Sequence, residues 1–166
     1  VRGQSGGQLA LNYLSFIISG IVIGLFKLRK QRFDSIFVFE PSPITVGLPA
    51  IVFRYFKKAP LVFWVLDLWP DTLEAVGVVR SERILKLVGW LVSYIYKRCD
   101  LVLAQSKSFI SHIKKYASHD RVVYFPGWAE SVFSVDQFRS PRRRSDSAQF
   151  NIVFAGNVGV SQDFPT

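Results

Sequence analysis

Carboxylates that leave an apolar run at its end are the first residues to weigh for chemistry. Asp67 stands in VLDLWPD (Val65 to Asp71), where Trp69 and Pro70 stiffen the chain behind it and Asp71 and Glu74 follow. A carboxylate so placed can orient or deprotonate the hydroxyl of an acceptor. The plainer role is to cap the next turn, for which Asp is well suited. Asp71 and Glu74 read as cap and first-turn residues rather than as catalytic groups. Three other loops could share a site with Asp67: FEPSPITVGLPAI (Phe39 to Ile51) with Ser42 and Pro43, DLVLAQS (Asp100 to Ser106), and FPGWAE (Phe125 to Glu130). Ser106 reads first as a helix cap and second as a ligand contact. Near the end, FNIVFAGNVGVSQD (Phe150 to Asp163) places Gly156, Asn157 and Gly159 after an apolar run. Glycines let backbone approach a phosphate, although a turn that needs positive φ explains them equally well. His112 and His119 fall on or just after a helix that reads as solvent-facing, and we assign them no chemistry. A metal site needs more convergent ligands than these, so no metal and no cofactor is expected. Nucleophile elbow, Walker lysine and paired-cysteine patterns are absent from the sequence.

The elements that must hold these loops alternate. Short apolar runs cover Ile36 to Glu40, Leu61 to Leu66, Leu101 to Ala104 and Val122 to Phe125. Helical stretches cover Ile44 to Lys58, Ser81 to Arg98 and Lys107 to Tyr116. Apolar strands without polar alternation suit a parallel sheet buried on both faces. The expectation is a Rossmann-like, doubly wound α/β domain, whose ligands bind beyond the carboxyl ends of the strands. A basic segment with Arg139, Arg142, Arg143 and Arg144 reads as a linker over residues 139–149. It divides a first domain, 1–138, from the start of a second Rossmann-like domain, 150–166. The chain of 166 residues has no Met and begins at Val1, and we read both ends as truncations.

Charge narrows the partners. The net charge is +9 and the sequence pI is about 9.9, which favours an anionic partner. No nucleic-acid-binding signature accompanies it, so no nucleic acid partner is expected. In the helix from Glu82, the residues Ile84, Leu85, Val88, Leu91, Val92 and Ile95 share one face. Arg83, Lys86, Trp90, Tyr94 and Lys97 share the other, a mixture suited to an anionic membrane surface. An ordinary solvated face has the same pattern. Leu9 to Phe26 carries no charge and precedes Lys27, Arg29, Lys30 and Arg32. We read it as a helix buried in a larger domain, with a membrane span as the alternative. The single cysteine, Cys99, reads as a small buried hydrophobe, and the default compartment is the cytosol.

Five stretches in this order, NYLSF (Asn12 to Phe16), PSPITVGLPA (Pro41 to Ala50), LDLWPD (Leu66 to Asp71), LAQSKSFISHI (Leu103 to Ile113) and VFAGNVGVSQDF (Val153 to Phe164), resemble family 4 glycosyltransferases of the GT-B fold. The likeness is to the bacterial group that includes WbuB-like L-fucosamine transferases of surface-polysaccharide assembly. The resemblance implies two Rossmann-like domains facing a cleft, with the chain covering mainly the first. It implies transfer from a nucleotide-sugar donor to a lipid-linked or saccharide acceptor, retention of configuration, and work at the cytoplasmic face of the plasma membrane. Asp67 matches the acidic position that faces the acceptor, and Ser42 and Pro43 match the loop beside it. Trp69 and Ser106 fall on the same acceptor side. Gly156, Asn157 and Gly159 match the glycine loop of the donor domain. Gly127 stands where relatives carry Asn, and the family's first strand and most of its donor domain are missing, so the chain by itself is not expected to catalyse transfer. A basic Rossmann-like module that binds an anionic membrane or a partner protein is the alternative.

Overall fold

The computed structural model describes residues 6–77, 79–128 and Gly156. The chain divides into two compact units, 1–126 and 127–166, and every helix and strand among the described residues lies in the first. The proposed linker at 139–149, the strand from Phe150, Asn157 and Gly159 lie outside the described residues.

Four short strands form one sheet: β1 (Ile36–Glu40), β2 (Leu61–Val65), β3 (Leu101–Ala104) and β4 (Val122–Tyr124). They pair in sequential order and all in parallel, with Ile36 opposite Leu61, Val62 opposite Leu101 and Val102 opposite Val122. Helices join them: α2 (Gly47–Lys57) between β1 and β2, α3 (Asp71–Ala75) and α4 (Glu82–Tyr96) between β2 and β3, and α5 (Lys107–Tyr116) between β3 and β4. A 3-10 turn, Ile44–Val46, leads into α2. A further helix, α1 (Gly6–Leu28), precedes the sheet. The fold is therefore α/β with an all-parallel sheet flanked by helices, compatible with a Rossmann-like architecture.

The strands alternate in burial more than their composition suggests. Leu61, Phe63 and Val65 of β2 are fully buried, as are Val102 and Ala104 of β3, and they form one core with Val92, Ile95 and Tyr96 of α4 and Ile113 of α5. Each such side chain contributes about 2 kcal/mol through removal from water. Gly47 lets α2 approach this layer: a Cβ there would sit 2.6 Å from Ile95 Cγ2. The opposite face differs. Phe37 is 53% exposed and Phe39 56%, and both lean on Trp64, whose ring also meets Phe125 at 5.2 Å. The expectation of strands covered on both faces is not met among the described residues. The physical reason is the strand order. Right-handed crossovers between sequential parallel neighbours deliver every connecting helix to the same side.

Two helical expectations also need correction. α1 is not buried: it is 23 residues long, and Leu11, Leu14, Phe16, Ile18, Val22, Ile23 and Phe26 are exposed. Only its second half is docked, with Gly20 against Pro49, Gly24 against Phe53, and Lys57 Nζ donating to the Leu28 carbonyl. In α4, Ile84 does not join the sheet-facing side; it is 49% exposed and Leu87 64%. The helix meets the core mainly in its second half, through Gly89, Val92, Ile95 and Tyr96. Cys99 is buried as expected, its thiol donating to the Ile95 carbonyl and pushed up to about 12 by burial.

Candidate functional site

The loops chosen from the sequence follow the carboxyl ends of β1 to β4, the edge where open parallel sheets place ligands. β1 ends at Glu40, and Ser42 and Pro43 follow; Ser42 is exposed and has φ 149°, a backbone conformation that residues with a Cβ rarely adopt. β2 ends at Val65, and Asp67 follows in a half-buried position. β3 leads to Ser106, and β4 to Phe125, whose amide donates to the Ala104 carbonyl and whose own carbonyl accepts from Trp64 Nε1. Gly127 and Trp128 follow and are exposed, as is Gly156 of the second unit.

Asp67 is held from two sides. Its Oδ2 accepts from Trp69 Nε1 at 3.1 Å, and its Oδ1 accepts from Thr72 Oγ1 at 2.6 Å. Both donors come from the same LDLWPDT run, so the loop orients its own carboxylate. The capping role weighed for Asp67 is not what the structure displays: the N-cap of α3 is Pro70, and no side chain caps that helix. Asp71 is likewise the first helical residue rather than the cap. It meets His112 Nδ1 of α5 at 2.7 Å, both side chains being about two-fifths exposed. His119 donates from Nε2 to the Tyr96 carbonyl at 3.1 Å and is half-buried. The histidines are therefore structural links between elements rather than free surface groups. Ser106 does cap α5, its Oγ accepting from the Ser108 amide at 3.3 Å.

Glu40 is the residue that reasoning from the sequence missed. A lone Glu at the end of an apolar run looks like the polar stop of a strand. In the structure its side chain points into the helix-covered face and is fully buried. Neither carboxyl oxygen has a hydrogen-bond partner of good geometry among the described residues. Burial pushes the group up to about 8 from an ordinary 4.5, and the Asp67 charge adds to the shift. The amides of Asp67 and Leu66 act in the opposite sense without reversing it. The Tyr96 hydroxyl, also buried and without a partner among the described residues, is raised well above its ordinary value by burial and then by Glu40.

The opposite edge of the sheet has a structural anchor. Arg54 of α2 grips Asp100 through two hydrogen bonds of 2.8 Å, and the Leu61 amide donates to the same carboxylate. That pairing lowers Asp100 to about 2. A depression of about 450 Å³ lies here, lined by Arg54, Tyr55, Lys58 and Asp100. Its position, away from the carboxyl edge, and its self-satisfied ion pair argue against a substrate site.

Of the proposed membrane-facing residues, Arg83, Lys86 and Lys97 are exposed and Trp90 is 63% exposed. Tyr94 is half-buried, tucked between the Trp90 ring at 5.6 Å and the Arg98 guanidinium at 3.5 Å. Exposed Ile84 and Leu87 make this face of α4 more apolar than its sequence pattern suggests. No metal-ligating cluster of His, Cys, Asp and Glu occurs among the described residues. No protein-family model matches the chain, and comparison with curated proteins and with solved structures found no match.

Proposed function

We propose that the chain is the acceptor-side part of a glycosyltransferase, with Asp67 as the group that orients and deprotonates the acceptor hydroxyl. The single observation that carries this reading is the Asp67 carboxylate, held by Trp69 and Thr72 beyond the end of β2. A base must be fixed within hydrogen-bond reach of the proton it takes, and two side-chain donors fix this one before any substrate arrives. The order of the motifs in the sequence supports the same reading, with the N-terminal half of a GT-B fold as the finer fold. In the proposed reaction an acceptor oxygen replaces the nucleoside diphosphate at the anomeric carbon. The acceptor proton passes to Asp67, and the nucleoside diphosphate leaves with the bonding electron pair. Gly156, Asn157 and Gly159 would hold the diphosphate through backbone amides.

The proposed setting is the cytoplasmic face of a membrane, with a lipid-linked saccharide as acceptor. The exposed Ile84, Leu87 and Trp90 beside Arg83 and Lys86 favour such a surface. They equally favour the second reading, a non-catalytic module on an anionic bilayer. A screen of nucleotide sugars with lipid-linked acceptors, run on the intact protein that carries this chain, separates the two. Acceptor-dependent release of nucleoside diphosphate supports the enzyme. Vesicle binding without release for any donor supports the module.

A further inference from the structure

Glu40 and Asp67 stand on adjacent strands at one sheet edge. Glu40 is in register with Val65, two residues before Asp67, and its carbonyl accepts from the Leu66 amide. The two carboxyls have opposite surroundings. Asp67 receives two side-chain hydrogen bonds in a half-exposed loop. Glu40 is sealed from water, and neither of its oxygens receives one. From β2 and its loop the charged group acting on Glu40 is Asp67, and among the described residues no cation acts on it. From α4, the titratable group acting across the core is Tyr96, itself neutral and without a partner. An unpaired anion buried beside another anion is strongly disfavoured, whereas a neutral acid in the same place is tolerated.

We propose that Glu40 is the positioning residue of the Asp67 site: a carboxyl sealed in the core on the neighbouring strand, it acts as a neutral acid that spares the Asp67 loop a second buried anion. The proposal rests on the reading of Asp67 as the acceptor-side base. Loss of the Glu40 proton puts a second anion behind the Asp67 loop, where the Asp67 and Leu66 amides offset it only in part, and disturbs the carboxylate that Trp69 and Thr72 hold. Two carboxyls with unlike environments divide the work: one stays charged, and the other stays neutral and sets the field around it.

The test is a titration of side-chain carboxyl resonances in the intact protein labelled with ¹³C at Glu and Asp. One Glu should titrate near pH 8, and that signal should be missing from Glu40→Gln. In Asp67→Asn the same midpoint should fall by about half a pH unit or more, because a neighbouring charge has gone. A second measurement follows transfer against pH. Wild-type turnover should fall about tenfold between pH 7 and pH 9, as expected for one essential proton lost near the middle of that range. Glu40→Gln should lack that fall, a difference that a purely structural role would not produce. If every Glu titrates below about pH 5.5, the ordinary carboxylate range, or if Asp67→Asn leaves the midpoint unmoved, the Glu40 proposal is overturned while the transferase reading stands. If the raised midpoint is found but no donor supports transfer, the transferase reading falls, and with it the positioning role of Glu40. The wild-type and Asp67→Asn titrations decide the matter even if Glu40→Gln does not fold.

Discussion

At the scale of single residues, the decisive contrast is between a carboxylate that the sequence pointed to and one that it did not. Asp67 was legible because an acid after an apolar run, followed by Trp-Pro, has few reasons to be there. Glu40 was not, because the sequence cannot say which side of a strand's last residue meets the core. The His112 and Asp71 contact was also hidden, since partners 41 positions apart leave no local signal. Glu40 makes a prediction about stability. The folded chain holds its proton up to about pH 8, while the unfolded chain releases it near 4.5. Between those values the folded state binds one more proton, so the stability that this group contributes is full below pH 4.5 and is lost as pH rises through the window. The slope from this group is at most about 1.4 kcal/mol per pH unit. Urea unfolding at several pH values should show this decline in the wild type and a flatter dependence in Glu40→Gln.

At the scale of elements, strand positions were read almost to the residue, because short apolar runs rich in Ile, Val, Leu and aromatic residues, bounded by polar or turn residues, admit little else. α5 was read to its ends, with Ser106 supplying the cap. Helix faces were read less well. The pattern in α4 placed Ile84 on the core side, but the core reaches only the second half of that helix, so Ile84 and Leu87 remain outside it. The anchor between α2 and β3 was invisible for the reason that hid the histidine contact: Arg54 and Asp100 are 46 positions apart. It has a measurable role. Asp100→Ala removes both hydrogen bonds to Arg54 and leaves the Leu61 amide without its acceptor. It should lower stability by about 1–3 kcal/mol, the range for removing one partner and leaving the other groups unsatisfied. Thermal unfolding measures it, and a loss below about 0.5 kcal/mol, the size of an ordinary surface substitution, would show that the clamp contributes little. Because the clamp sits at the edge away from Asp67, turnover measured well below the melting temperature should be unaffected.

At the scale of the whole molecule, the fold class followed from the alternation of strands and helices, but the one-sided helix layer did not, since it depends on the spatial order of the strands. The exposed α1 and the basic α4 face bear on where the protein works. α1 is long and apolar enough to cross a bilayer by length and composition: within Gly7–Leu28 an 18-residue window has a mean hydropathy of 2.1, and none of that window is buried. If the α4 face makes the contact, flotation of the intact protein with anionic vesicles should weaken as salt rises to about 0.5 M, because exposed charges are screened. If α1 is inserted, salt should have no effect and only detergent should release the protein. The proposed chemistry is tested by acceptor-dependent release of nucleoside diphosphate, measured for the intact protein and for its Asp67→Asn variant. Asn can keep both loop contacts by turning its carbonyl to Trp69 and its amide to the Thr72 hydroxyl, so folding and donor binding should persist. Turnover should fall by roughly two orders of magnitude, the scale of a lost general base. An Asp67→Asn variant that folds, binds donor and turns over near the wild-type rate would overturn the proposed role of Asp67 as a base and leave it a loop-forming residue.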